Sequence, residues 1–354
     1  MKKILFFFIL LAVALNGFGQ SLDIVSIFLR GGINDANKMT DAYISPLGTA
    51  LGTANNSSWN FNYINDKKSH LWIDLKYNYT FVPSSAREFD IYDLNLEEIT
   101  PSDSEKHIAQ TIFGEKTSIQ LETKEHIINP LPPFDQKPLA TFNSAEGIGM
   151  RGLNLPYLNI GTSYRGLILI FRGLPPLPIS DSQGSIGLWG IGAGLTFNDL
   201  LKPLNDFPVT FRLVAAYSST IVNVKQDLQP DEAFISISGG PYNNQNFRLK
   251  TSDFTAGLFV MKSFKVITTS VGLGYNSIHS TSKLTGTYPI YVKDPASLIG
   301  FSVADIEDPI SISNNDNYFK AEFNVAARFN FFLINVNYSI GRYDNLTAGI
   351  GFIL

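Results

Sequence analysis

From residue 70 the chain alternates. In HLWIDLKYNYTFVP, residues 70–83, Leu71, Ile73, Leu75, Tyr77, Tyr79 and Phe81 fall on one face, and Trp72, Asp74, Lys76, Asn78 and Thr80 on the other. Successive side chains of a strand point to opposite faces, so a period of two predicts a strand, and this one outruns the ~5–6 residues usual in soluble sheets. PVTFRLVAAYS sets Val209, Phe211, Leu213, Ala215 and Tyr217 against Thr210, Arg212, Val214, Ala216 and Ser218. YFKAEFNVAARF sets Phe319, Ala321, Phe323, Val325, Ala327 and Phe329 against Lys320, Glu322, Asn324, Ala326 and Arg328. Charges thus alternate with aromatics along single strands.

Such alternation suits either a secreted sandwich or a barrel wall. Two features favour the barrel. Glycines stand inside the runs GSIGLWGIGAGLTF and TTSVGLGYNS, where they would weaken a sandwich. Aromatics gather at strand ends, at Tyr79, Phe81, Phe197, Tyr217, Tyr275 and Tyr318, as the interfacial girdles of membrane barrels do. The expected fold is therefore all-β, an antiparallel transmembrane β-barrel. Its candidate spans are 70–82, 88–94, 117–123, 153–163, 165–173, 185–197, 208–221, 245–261, 264–278, 317–329, 331–343 and 345–354. That makes about twelve strands, with ten or fourteen also open because 88–94 and 117–123 fall short of the ~9–11 residues a crossing strand needs. The long connections 222–244 and 279–316 would lie on one side of the membrane and the short turns near Tyr164, Leu200, Ser263 and Asn330 on the other. KLTGTYPIYV, residues 283–292, reads as an extra hairpin above the membrane.

Three segments follow. Residues 1–19 read as a cleavable signal peptide, with Lys2 and Lys3, an apolar core from Ile4 to Leu15 and small residues at Gly17 and Gly19; that core is too short to cross ~30 Å of hydrocarbon. Residues 20–58 open with a helical pattern at Leu22, Ile24, Val25, Phe28 and Leu29, break at Gly31 and Gly32, and resume into a small-residue tract. This segment fits a plug inside the barrel, or else a periplasmic tether. Residues 59–354 form the barrel, with a loop-like stretch over 95–150.

Charged residues make up 16% of the chain, against roughly 25% in soluble domains. Loss of Lys2 and Lys3 with the signal takes the formal charge from −4 to −6, which disfavours nucleic acid as a partner. The chain has no cysteine, which excludes a lipid-anchored N-terminus, disulfides and thiolate metal sites. The charges expected to face the lumen are Asp74, Lys76, Arg212, Lys320, Glu322 and Arg328, since Lys or Arg facing lipid at the midplane costs about 2–4 kcal/mol. They would brace the interior or, alternatively, form a selectivity ring. The chain ends on Leu346, Ala348, Ile350, Phe352 and Leu354 on one face. This closing strand has the character of an assembly signal, with the outer-membrane insertion machinery as its reader and outer-membrane lipid as its neighbour.

The Gly-Gln-Ser signal end, NKMTDAYISPLGTALG, LPPLPISDSQGSIGLWGIGAGLTFNDLL and the TAGLFVMKSF to TTSVGLGYN hairpin resemble a family of outer-membrane barrels from Bacteroidota with no assigned site. More loosely, a helical segment before a barrel is similar to the long-chain fatty-acid transporter class, whose N-terminus forms a hatch. The resemblance implies residence in the cell outer membrane and supplies no functional residue.

Chemistry is sparse. Of His70, His107, His126 and His279, only His279 in GYNSIHSTSK has an inviting context, yet adjacent strand residues face apart, so His279 and Ser280 would not meet. No motif for a metal, a nucleotide or another cofactor is present. The acidic run REFDIYDLNLEE lacks the glycine and spacing of a calcium loop. The readings left are a passive channel or binding barrel for a small amphipathic molecule, a display barrel whose outer loops bind a partner, and, third, a lipid-acting enzyme.

Overall fold

The computed structural model describes residues 22, 25–61, 69–128, 136–179, 184–199, 204, 207–230, 239–294, 296 and 301–353. The expected signal peptide, residues 1–19, and Leu354 lie outside them. Ten of the described strands close an antiparallel barrel: β1 (His70–Phe81), β2 (Gly152–Tyr164), β3 (Leu167–Pro178), β4 (Gly184–Thr196), β5 (Thr210–Lys225), β6 (Asn246–Phe264), β7 (Ile267–Thr285), β8 (Ile310–Phe329), β9 (Phe332–Ile340) and β10 (Asn345–Ile353). Each pairs with its neighbour in the chain, and β10 returns to β1 with Trp72 opposite Ile353 and Thr80 opposite Asn345. Closure leaves the sheet no edge, which a bilayer requires because every backbone group must be paired. No described helix is long and apolar enough to cross a bilayer.

The count is ten because two expected spans do not join the wall. Residues 88–90 pair with 108–110, and 120–123 pair with 99–101 and 141–143, in small sheets of a cap built from residues 82–128 and 136–151. These strands are only three or four residues long, too short to cross. Residues 283–292 do not form a hairpin by themselves: 283–285 end β7, and Thr287–Lys293 pairs instead with Phe301–Glu307.

One end of the barrel carries tight turns. β2 and β3, β6 and β7, and β8 and β9 are each joined by two residues, 165–166, 265–266 and 330–331. Arg165 and Gly166 both have positive φ, as a type I′ turn demands. The connections 82–151, 226–245 and 286–309 all leave the opposite, loop-bearing end.

The wall's two faces exchange character along its height. In the turn-end half, apolar side chains point outward and stand exposed, among them Leu273 at 71%, Phe323, Val336, Ile350 and Phe352. Contiguous exposure on this scale marks a lipid-facing surface. Toward the loop end the pattern inverts: Val222, Val224, Phe247, Leu249 and Leu284 point inward and are buried, while Lys225, Arg248, Lys250, His279 and Lys283 point out. The strands of 16 to 20 residues, β5 to β8, thus continue past the hydrocarbon and enclose a second apolar core above it.

Candidate functional site: a lumen filled by the N-terminal helix

A 3₁₀ turn, Val25–Gly31, packs under the cap, and Gly32 at φ 88° turns the chain into α1 (Ile33–Asn56). The helix contacts β1, β2, β5, β6, β7 and β8, so it lies within the ring. A helix with its side chains is ~10–12 Å across, a tight fit in a small barrel, and the small residues make room. A Cβ on Gly48 would lie 2.9 Å from Ser280 Oγ, and one on Gly52 would lie 2.5 Å from Ile278 Cγ2. The i, i+4 glycines are therefore the seam along which the helix meets β7.

At the loop end the helix is tied to the cap. Asp35, fully buried, accepts the backbone N–H groups of Glu97 at 2.8 Å, Glu98 at 2.7 Å and Ile99 at 2.9 Å. Lys38 donates to Asn95 O and the Tyr43 hydroxyl to Glu146 O. Around Pro46 a cavity of about 400 Å³ opens between helix and wall, lined by Ala42, Ser45, Thr49, Ile278, Asn314 and Tyr343 among others.

The other end is held by charge. The last carbonyls of a helix have no internal donor and carry the negative end of its dipole. Here the last helical carbonyls, with those of the residues just after the helix, meet cations from four strands. Arg172 on β3 donates to Asn55 O at 2.9 Å, Ser57 O at 3.1 Å and Ser58 O at 3.2 Å. Lys76 on β1 donates to Ser58 O and Oγ at 2.9 and 2.7 Å. Lys320 on β8 donates to Asn56 O, and Arg212 on β5 to Phe61 O. The Arg172 guanidinium is sandwiched between the rings of Trp59 and Tyr157, 3.8 and 4.0 Å from their centroids, an arrangement that adds cation–π attraction.

Acids balance part of this collar. Glu322 Oε2 lies 2.9 Å from Lys320 Nζ and its Oε1 accepts from Asn337 at 2.7 Å; Asp74 faces Lys76 and Arg172. Asp253 accepts from Asn55 Nδ2 at 2.5 Å, and Asn55 also bonds Thr220 and Thr251. Below the collar Phe61 stacks on Trp72 at 3.8 Å, and Phe259, Met261, Leu333 and Ile353 complete an apolar seal.

Of the charges read from the sequence, Asp74, Lys76, Arg212, Lys320 and Glu322 are buried in this lumen. Arg328 stands apart at the turn end, half-buried, its Nε donating to Asn330 O at 3.1 Å. Arg172 and Asp253 belong to the site and were not singled out. Arg172 hides in LILIFRGLPP, where Ile168 and Ile170 on the same inward face are apolar and blur the alternation. Leu346, Ala348, Ile350 and Phe352 are on the exposed face of β10. His279 points outward and contacts Asn315 at 2.7 Å and Thr281 at 3.5 Å, while Ser280 points inward against Gly48. Among the described residues no cluster could hold a metal ion.

These features define a transmembrane-type, ten-stranded antiparallel β-barrel whose lumen is occupied by its own N-terminal helix. The whole chain, residues 1–354, matches the family described as "Family of unknown function (DUF6588)", and the protein belongs to it. No curated protein matches the chain. Among solved structures it is similar to the attachment invasion locus protein Ail of Yersinia pestis, solved with the heparin analogue sucrose octasulfate, at 8% identity and a TM-score of 0.27 over 81% of this chain and 99% of that one. The outer membrane protease OmpT of Escherichia coli gives 10% identity and 0.28 over 84% and 100%. The transport unit of the autotransporter AIDA-I, also from Escherichia coli, gives 10% and 0.29 over 88% and 98%. Likeness at this level assigns no activity.

Proposed function

We propose that this protein is an outer-membrane barrel kept shut by its N-terminal helix, which binds a small amphipathic molecule at the loop-end mouth and admits it passively when the helix shifts. The observation that carries the reading is the collar. Arg172, Lys76, Lys320 and Arg212 each donate at least one hydrogen bond to a carbonyl of residues 55–61, so the lumen is closed by specific bonds. The mouth cavity joins apolar Ile278 and Tyr343 to polar Ser45, Thr49 and Asn314, and its volume lies within the ~300–1,000 Å³ of small-molecule sites. The exposed apolar band supplies the membrane, and short turns at one end with long connections at the other orient the loop end outward, as in outer-membrane barrels.

Planar-bilayer conductance tests this. The intact chain should be silent, with rare openings, and the chain lacking residues 20–58 should conduct steadily. A steady open channel in the intact chain would refute closure. Silence after deletion, in protein whose gel mobility still shifts on heating, would refute passage. Fractionation of the native protein away from the outer membrane would refute the location.

A further inference from the structure

We propose that the outer surface of the wall holds a phosphorylated lipid of the leaflet nearest the loop end, with an acyl chain in a groove across β3, β4 and β5 and its phosphate between Arg248 and Lys283. This rests on the reading of the chain as an outer-membrane barrel; it concerns the opposite face of the wall from the plugged lumen.

The groove arises from missing side chains. Outward positions in the lipid-facing band are mostly large, yet Gly173, Gly187 and Ser219 stand at outward positions on three successive strands. In register, Gly173 opposes Trp189, Trp189 opposes Ser219, and Gly187 opposes Ile221. The hollow of about 630 Å³ is flanked by Ile160, Phe171, Trp189 and Ile221. It is deepened where the β3–β4 register shifts between Leu174 and Leu177. Pro175 and Pro176 stand in that shift, and proline cannot donate to a ladder. The pairing of β2 with β3 ends just below, at Leu158 and Gly173. A long, mostly apolar trough open to the bilayer fits an alkyl chain.

Its upper end is basic. Asn223 and Arg248 close the groove, Arg248 directly opposes Lys283 in the β6–β7 register, and Lys225 and Lys250 stand exposed beside them. Like charges placed opposite each other on one face are destabilising. None of the four has an ion-pair partner among the described residues: Asp253, three residues from Lys250, points inward and accepts from Asn55, while Asp227 and Asp308 accept hydrogen bonds from Gln229 and from the Gly286 N–H. An anion between Arg248 and Lys283 would turn that repulsion into attraction. Lys250 lies four residues beyond the exposed Phe254, which is about 13 Å along the strand, placing the cations at headgroup depth above the aromatic girdle. A zwitterionic headgroup would leave the cationic excess uncompensated, so the occupant carries net negative phosphate.

The test measures lipid retained by the full chain in nanodiscs of phosphatidylcholine doped with lipid A, read by native mass spectrometry, with heat-shifted gel mobility reporting the barrel separately. Wild type should retain lipid A over phosphatidylcholine and lose it as salt rises. Arg248→Glu with Lys283→Glu should lower retention at least tenfold. Gly187→Phe, whose first carbon meets Pro176 at an ordinary 3.4 Å, fills the trough without touching the charges and should do the same. Equal retention in either folded variant, salt-independent retention by wild type, or preference for phosphatidylcholine overturns the proposal. Loss of the heat shift in wild type would instead overturn the barrel reading beneath it.

Discussion

Arg172→Met removes the cation on which the helix exit depends most. The side chain is fully buried, and methionine can occupy the slot between Trp59 and Tyr157 with favourable sulfur–aromatic contact. What is lost is four hydrogen bonds, to Asn159 Oδ1 and to the carbonyls of Asn55, Ser57 and Ser58. Hydrogen bonds to charged groups contribute about 1.5–3 kcal/mol each but do not add. Removing one member of a buried charged cluster, here the cation that holds the Asn55, Ser57 and Ser58 carbonyls, costs about 3–5 kcal/mol. At tenfold per ~1.4 kcal/mol, the helix should leave its seat roughly 140 to 3,700 times more often. The absence of cysteine allows a clean assay. Ser218→Cys places a single thiol at a position that is 0% exposed and faces Asn55 O. A hydrophilic thiol reagent reaches it only during opening, and its labelling rate scales with the opening constant. Arg172→Lys, which keeps the charge but not the fork, should fall between the two. Acceleration of less than about tenfold in protein that still folds as a barrel would show that the collar does not hold the helix.

Gly52→Leu should loosen the helix by about 1–3 kcal/mol of overpacking against Ile278, and Ile278→Ala in the same chain should restore slow labelling of the Ser218→Cys thiol. In the cap, hydrogen bonds from the His107 ring, at 2.9 Å, and from the Tyr92 N–H hold the Asp90 carboxyl below its ordinary range. That contribution is complete above the unfolded carboxylate pKa and is lost as pH falls through the lower folded value. Amide exchange over residues 88–92 should therefore quicken below about pH 4, and Asp90→Asn should abolish the effect. Ending the chain before Leu346 removes the strand that joins β1 to β9 and leaves each with one open edge, and no heat-shifted band should form in the membrane fraction.

The period of two was readable wherever the wall crosses the membrane, because there the environment differs across the sheet: lipid outside, polar lumen inside. It failed where that contrast fails. Strand β7 runs to Thr285, well past the expected 278, because beyond Ile278 its outward residues His279, Thr281 and Lys283 meet water while Leu284 enters an apolar core. The spans 88–94 and 117–123 alternate as wall strands do, and alternation alone cannot separate a short cap sheet from a crossing. Arg172 escaped notice for a related reason. Its inward neighbours Ile168 and Leu174 are buried apolar residues, so the lumen there is lined by carbon except at the level of the helix exit. What a residue faces across the lumen is a long-range fact, and no local period encodes it.

Wall and helix also depend on each other electrostatically. Among the described residues Lys76, Arg172 and Lys320 share the lumen with two facing carboxylates, those of Asp74 and Glu322. The partner completing the set is the group of carbonyls at residues 55–58, at and just past the helix C-terminus, which supplies partial negative charge without a titratable group. A barrel closed without its helix would hold excess cations in a confined space and would have to fill with water and counterions. A helix without the barrel would be short of partners at Asp35, along its glycine seam and at the Asn56 carbonyl. The two halves of α1 are nonetheless held differently. The half before Pro46 is fixed by apolar packing and by Asp35, whereas the half after it packs Leu47, Leu51 and its glycine seam against the wall and adds the charged collar at its end. Proline cannot donate to the carbonyl four residues back, so the junction of the two regimes is where the helix bends most easily, and the mouth cavity lies against it. A ligand entering there would press on the part of the helix least able to resist, without first having to break the collar.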